Sequence, residues 1–145
     1  ATAEFTGLKK FPEYLTVLFE VDALFLNDDR HLNNIAVLEK NGRFDYCPIF
    51  DNGAGLLSNT QLSPMDIEPK RLIKSVIARP LNTTFNRQMN TARALFGKQL
   101  KIPQFTGKET TAELKPMLEF YAERDRGLIS DRVTECILER QKFNQ

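Results

Sequence analysis

The sequence predicts a mostly helical α+β domain that carries a small β-hairpin near its beginning. Three observations lead to this fold class. Apolar residues at helical spacing fill residues 12–26, an Asn-Gly pair separates two β-prone runs, and a helical pattern runs from residue 69 to the end. A length of 145 residues fits one domain over 1–145, with enough chain to bury a core.

The first long helix is predicted to begin at Pro12, because proline is favoured in the first turn of a helix. Apolar residues follow on most sides of this helix, so it is expected to be buried. Asp22 interrupts the apolar pattern, and a buried carboxylate requires a partner. The turn-forming residues Asn27, Asp28 and Asp29 end the helix in a loop.

The hairpin is predicted from residues 35–39 and 43–50, which flank Asn41 and Gly42. Both central residues of such a tight turn need positive φ, which Asn and Gly tolerate. Pro48 places its part of the second strand at an edge or an end. Residues 54–66 are expected to form a loop.

Four helices are predicted after this loop. Residues 69–78 form a short helix closed by Pro80, and a second helix ends with Gly97 as its C-terminal cap. A third contains Pro116, which leaves its start ambiguous, and Ser130 caps the last. The apolar positions that mark these helices are Phe85, Met89, Ala92, Phe96, Leu114, Leu118, Tyr121, Val133, Ile137 and Leu138.

Charge is unevenly distributed, although 20 basic and 19 acidic residues leave a net charge of +1. Residues 70–101 contain eight basic side chains and no acidic one. We favour the interpretation that these are solvated helix faces paired with acids elsewhere. A surface for phosphates or an acidic partner is the alternative. Nucleic-acid binding is weakly supported, because no interleaved aromatic pattern accompanies the charges.

Cys47 and Cys136 are too far apart in sequence for a CxxC pair, and with one histidine they cannot form a usual zinc site. We expect both to be buried free thiols in a reducing compartment, so the predicted location is cytoplasmic. No apolar run approaches the length of about 18 residues that a transmembrane helix requires. The first residues also lack the pattern of a signal peptide.

The polar loop of residues 27–34 and Asp51 at the far end of the hairpin are the candidate functional residues. Pairing of the two strands would make Asn34 and Asp51 neighbours, with Asp29 in the same pocket. Two carboxylates and an amide suit Mg²⁺, which prefers oxygen ligands. Arg30 and His31 would supply donors for phosphate oxygens. Each residue alone is more often an ordinary turn or structural residue, so the hypothesis depends on their combination.

The spacing of these residues matches a pattern used for phosphoryl transfer. Protein kinases place a catalytic Asp five positions before a metal-binding Asn, and a second metal-binding Asp follows a hairpin. Asp29 and Asn34 have this offset, and Asp51 comes 17 residues after Asn34. D-R-H-L-N-N at 29–34 resembles the catalytic loop of phosphatidylinositol 3-/4-kinases and, equally, that of HipA-like bacterial serine/threonine kinases. P-I-F-D-N-G at 48–53 resembles the metal-binding segment of both groups.

This resemblance implies a kinase-like C-terminal lobe that uses ATP and Mg²⁺. It implies that Asp29 is the catalytic base, that His31 stabilises phosphate, and that Asn34 and Asp51 bind metal and cofactor. Arg30 matches the lipid-kinase form of the loop. A HipA-like protein kinase with a protein substrate is slightly preferred; a lipid-kinase-like lobe, or a non-catalytic partner-binding module that uses residues 70–101, remains open.

A kinase also needs an N-terminal lobe with a glycine-rich loop and a strand lysine. The sequence contains no G-x-G-x-x-G, and mostly helix precedes Asp29. We therefore expect this chain to lack that lobe, either as a truncation or as a naturally short protein. A missing lobe or companion protein is its expected partner, and the isolated chain is expected to transfer phosphate weakly or not at all.

Overall fold

A computed structural model describes residues 1–144 of the chain. About half of these residues are helical, and one antiparallel strand pair is present in that range. The elements are α1 (Thr2–Thr6), α2 (Phe11–Phe25), β1 (Val37–Lys40), β2 (Arg43–Tyr46), α3 (Pro69–Ile73), α4 (Phe85–Phe96), α5 (Gly107–Leu118) and α6 (Glu123–Gln141), with 3₁₀ turns at Leu32–Asn34 and Lys142–Asn144. The mostly helical α+β class is confirmed. No helix within 1–144 is long and apolar enough to cross a membrane.

Helix α2 is the central element, as its apolar pattern predicted. No residue from Phe11 to Leu24 is exposed, and the helix packs against α4 and α6. Pro12 lies in the first turn, and Leu26 ends the helix in the left-handed conformation, with φ 54°. The core draws on α2, α3, α4, α6 and the loops between them, through Ala23, Leu26, Leu57, Leu72, Ala78, Phe85, Met89 and Cys136.

A buried carboxylate joins α2 to the end of α4 and the chain beyond it. Glu20 is fully buried and accepts a hydrogen bond of 2.6 Å from Nε of Arg93. The backbone amides of Gln99 and Leu100 donate to the same carboxylate at 3.2 and 2.6 Å. The basic segment is thus partly neutralised by distant acids, and Lys70 likewise pairs with Glu139 at 3.6 Å.

The predicted hairpin is confirmed. Val37 pairs with Tyr46 and Lys40 with Arg43, so Asn41 and Gly42 alone form the turn. Their φ values of 54° and 74° are those that this two-residue turn requires. The strand bounds differ from the prediction, because β1 covers 37–40 where 35–39 was predicted, and β2 covers 43–46 where 43–50 was predicted. Pro48 thus lies beyond the end of the second strand, where its lack of an amide hydrogen costs no ladder bond.

Helix α3 is shorter than the predicted range of 69–78. It ends at Ile73, and the Ser75 hydroxyl then donates to the carbonyl of Leu72 at 2.8 Å, a local bond that competes with continuation of the helix. Ala78 instead exchanges two backbone hydrogen bonds with Thr83, at 2.7 and 3.2 Å. The turn that contains Pro80 therefore follows an extended segment, and the predicted helix end is wrong.

The structure settles the start of α5, which the sequence left ambiguous, and it corrects the predicted start of α6. Helix α5 begins after Thr106, whose side chain forms a capping box with Glu109, and Pro116 lies inside the helix. Helix α6 begins at Glu123, so Ser130 is a buried mid-helix residue and not the expected N-cap. Helix α4 agrees with the prediction and has Gly97 as its C-terminal cap. Phe96, the last of the apolar positions that predicted this helix, is nevertheless 42% exposed. Helix α1 was not predicted.

The two cysteines differ in burial and should differ in reactivity. Both are free; Cys47 is half-buried and Cys136 is fully buried, so the expectation of two buried thiols holds for Cys136 only. Burial raises the pKa of Cys136 to about 12. Because the thiolate is the reactive form, we expect iodoacetamide at pH 8 to label Cys47 in the folded protein and to leave Cys136 unmodified until urea is added. Peptide mass spectrometry measures this; equal labelling of both residues under native conditions would contradict it.

Candidate functional site

A fully buried ion pair organises the loop that follows α2. Nε and Nη2 of Arg30 donate to the two oxygens of Asp22, each at 3.0 Å, and neither side chain is exposed. Asp22 therefore has the partner that its position in an apolar helix required. Burial raises the pKa of the Asp22 carboxyl, while the hydrogen bonds and charge of Arg30 oppose the rise.

The same guanidinium joins the two segments that carry the sequence motifs. Nη1 of Arg30 donates to the backbone oxygen of Asn34 at 3.1 Å and to that of Phe50 at 2.6 Å. Nη2 also donates to Oδ1 of Asn52 at 2.7 Å. The backbone at Asn34 thus lies beside the backbone that enters Asp51, which is the proximity inferred from the hairpin.

The role expected for Arg30 needs correction. The sequence interpretation made Arg30 a catalytic donor to phosphate oxygens, but its side chain is buried and every guanidinium nitrogen already donates to a protein oxygen. A phosphate could reach this guanidinium only by displacing several of these bonds. Arg30 is therefore a positioning residue that holds the loops together.

Asn27 is a second connecting residue, and the sequence interpretation treated it only as a turn former. Its Nδ2 donates to Oδ1 of Asp22 at 3.1 Å and to the backbone oxygen of Asp51 at 3.3 Å. Its Oδ1 accepts from the amide of Asp29 at 3.3 Å. One buried amide thus contacts both candidate carboxylate residues through their backbones. Its place beside D-R-H in the sequence is the only signal that could have indicated it.

The chain after Asp51 is held against the end of α2 by close backbone contact. The amide of Leu56 donates to the carbonyl of Phe25 at 2.6 Å. A Cβ on Gly55 would lie 2.8 Å from that same oxygen, closer than packing allows. Gly55 is therefore required for this approach, which keeps residues 51–56 beside the polar loop.

The side chain of Asn34 is oriented through its amide nitrogen, which acts as a hydrogen-bond donor. Its side chain lies in the 3₁₀ turn Leu32–Asn34, and Nδ2 donates to the backbone oxygen of Asp29 at 3.1 Å. Nε2 of His31 is 3.4 Å from the same nitrogen. Within residues 1–144, Oδ1 of Asn34 accepts no hydrogen bond, so the oxygen is available as a ligand.

The carboxylates of Asp29 and Asp51 remain exposed. Neither forms an ion pair within the described part of the chain. Asp51 has φ 56°, a left-handed conformation that Asp tolerates better than most residues. The backbones at 29, 34 and 51 belong to one hydrogen-bond network. Within residues 1–144, no hydrogen bond or ion pair joins the three candidate side-chain groups to one another.

A half-buried neighbour, Asp28, adds a further acid to this loop. Burial raises the pKa of its carboxyl, the charge of Asp29 adds to the rise, and a hydrogen bond to its own backbone and the charge of Arg79 oppose it. The sequence interpretation treated Asp28 only as a turn residue. Its raised pKa depends on packing, which no local pattern reveals.

The chemistry of the site fits a hard cation only with ligands from outside the protein. Among residues 1–144, no group of three or more His, Cys, Asp or Glu side chains could hold a metal. Asn34 and Asp51 offer one amide oxygen and one carboxylate, and Mg²⁺ characteristically completes its shell with water and substrate phosphates.

Comparisons with protein-family models, curated proteins and solved structures found no match for the chain.

Proposed function

We propose that the chain is the C-terminal lobe of an ATP- and Mg²⁺-dependent phosphotransferase of the HipA-like serine/threonine kinase type. The observation that carries this proposal is the position of Arg30, whose Nη1 contacts the backbone at both Asn34 and Phe50. The two motif segments are therefore adjacent in the fold as well as correctly ordered in the sequence. Either segment alone would be an ordinary turn.

The proposed roles follow from the chemistry of each side chain. Asn34 Oδ1 and the Asp51 carboxylate would hold the metal, which supplies charge neutralisation for the phosphates of ATP. Asp29, exposed and five residues before Asn34, would orient or deprotonate the attacking hydroxyl. His31 lies between Asp29 and Asn34 in the sequence and would face the phosphates. Arg30 and Asn27 would position these groups without touching the substrate.

The proposed acceptor is a protein hydroxyl, with a phosphoinositide headgroup as the alternative. A kinase also uses an N-terminal lobe that covers the phosphates and supplies a strand lysine, so nucleotide binding is a better readout than turnover for residues 1–145.

Removal of the Asp51 charge should abolish most of the magnesium-dependent affinity for ATP. We choose Asp51→Asn because Asn also tolerates the positive φ at this position. Since cation affinity depends on the number of charged ligands, we expect a loss of about tenfold or more. Calorimetric titration of ATP with Mg²⁺, and again with EDTA, measures the magnesium-dependent part.

Asp66→Asn is the matched control, because Asp66 is also an exposed loop carboxylate and lies outside this network. It should bind Mg-ATP as the wild type does. Equal affinity of wild type and Asp51→Asn would reject the metal assignment. Failure of the wild type to bind ATP with Mg²⁺ would reject the phosphotransferase proposal for this chain and favour a partner-binding module.

A further inference from the structure

A cavity with an apolar wall and several charged side chains lies away from the loop that carries Asp29. Its volume is about 470 Å³, and it is enclosed by α3, the N-terminal end of α4 and the C-terminal end of α6. None of the residues from 22 to 56 lines it. Small-molecule sites in proteins have volumes of about 300–1,000 Å³, so the cavity is large enough for a mononucleotide.

Arg140 is the group in this cavity that most needs a ligand. Its side chain is 4% exposed, Nε donates to the carbonyl of Ala23 at 2.6 Å, and Nη2 donates to Oδ1 of Asn86 at 2.7 Å. Within residues 1–144, Nη1 donates no hydrogen bond and no carboxylate forms an ion pair with Arg140. A buried cation without a counter-charge is costly, and an anion in the cavity would remove that cost.

Arg140 stays charged at neutral pH despite its burial. Desolvation lowers its pKa to about 10, which is still well above 7. The contrast with Arg30 is informative, because Arg30 is equally buried but paired with Asp22. Among the described residues 1–144, Arg30 is thus paired with a carboxylate, whereas Arg140 lies beside the cavity without one.

The other polar groups around the cavity also favour an anion. Lys70 of α3 and Lys74, the residue just after α3, line it. The one carboxylate that lines it within residues 1–144 is that of Glu139, which already pairs with Lys142 at 2.7 Å and Lys70 at 3.6 Å. At the start of α4, the amides of Phe85 and Asn86 have no backbone partner within residues 1–144, as is general for the first turn of a helix. Such amides and the helix dipole attract phosphate.

The remaining wall of the cavity is apolar and partly aromatic. The ring centroids of Phe85 and Phe143 lie 5.9 and 4.9 Å from the guanidinium carbon of Arg140. Ile73 and Val76 add aliphatic surface. A bare inorganic ion would leave this surface uncovered, whereas a ligand with a planar apolar body would cover it.

We propose that this cavity binds a phosphate monoester that carries a planar aromatic group, the chemistry of a mononucleotide. Its phosphate pairs with Arg140, Lys70 and Lys74 near the start of α4, and its planar group packs against Phe143. This binding requires no metal and is independent of the function proposed for Asp29, Asn34 and Asp51. It also gives part of the acid-free segment 70–101 a specific role.

The probes are inorganic phosphate, adenosine and adenosine monophosphate, each titrated calorimetrically into the chain in EDTA. Adenosine monophosphate should bind at least about tenfold more tightly than phosphate or adenosine, because only the monophosphate contacts both the basic side chains and the aromatic surface of the cavity. Absence of saturable binding, or equal binding of adenosine and its monophosphate, would overturn the proposal. Phosphate binding as tight as that of the monophosphate would overturn the aromatic part.

The test variant is the double substitution Lys70→Ala and Lys74→Ala, and the matched control is Lys108→Ala with Lys115→Ala on α5. All four lysines are exposed, so both variants should fold. We expect the test variant to lose about tenfold or more in affinity for adenosine monophosphate and the control to lose none. Asp51→Asn should also bind it normally; a loss there would place the nucleotide at the other site and overturn the proposal.

Discussion

Replacement of Arg30 by methionine is expected to destabilise the folded chain by about 3–5 kcal/mol, the usual cost of removing one partner from a buried ion pair. Asp22 would be left as a buried carboxylate, with only the Asn27 hydrogen bond at 3.1 Å. The backbone oxygens of Asn34 and Phe50 would also lose their donor. Urea unfolding followed by circular dichroism measures the change in the free energy of unfolding.

Arg87→Met is the matched control, since Arg87 is exposed on α4 and surface substitutions usually change stability by less than about 0.5 kcal/mol. The double variant Asp22→Leu with Arg30→Met should recover part of the loss, because it removes the uncompensated charge. It should not recover the connection between the two motif segments. Equal stability of Arg30→Met and the control would refute the central role given to this guanidinium.

Glu20→Ala should have the second large effect, about 3–5 kcal/mol, because it removes a fully buried carboxylate that pairs with the half-buried Arg93 and accepts from two backbone amides. Arg93 would lose its ion-pair partner at 2.6 Å, and the amides of Gln99 and Leu100 would lose their acceptor. Urea unfolding measures the stability, and native-state hydrogen exchange should show faster exchange specifically at these two amides.

Glu113→Ala provides the comparison for this second prediction. Glu113 is an exposed residue of α5 with no ion pair within residues 1–144. Its replacement should leave both stability and exchange at residues 99 and 100 unchanged. A loss below about 1 kcal/mol for Glu20→Ala would be typical of an exposed pair and would contradict the anchoring role.

The parts of the fold that were predictable depend on local chemistry. Asn41 and Gly42 suit a turn that needs two positive φ values, and α2 is apolar on most sides. Neither feature requires knowledge of the rest of the chain. The helix starts after Thr106 and Ala122 were missed, although the first has a capping box that the sequence displays. Ser130 was misassigned because a serine inside a helix and a serine at its start have the same local pattern.

For the candidate site, the sequence indicated candidate residues, and the structure corrects the role of one of them, Arg30. The order of Asp29, Asn34 and Asp51 was readable, and so was the need for a partner to Asp22. The cation that pairs with Asp22 depends on the conformation of the loop after α2, and in the structure it is Arg30. A guanidinium can bind phosphate or hold protein oxygens, and only its burial distinguishes the two.

The amino-acid sequence by itself determined the fold class, the central helix, the hairpin and the motif residues, because turn chemistry and apolar spacing act within a few residues. The tertiary structure alone decided how charges far apart in the chain are neutralised: Glu20 by Arg93, Asp22 by Arg30, and Arg140 by no carboxylate among residues 1–144. The energy of a buried charge depends on its surroundings in space, and those are set by packing between distant segments.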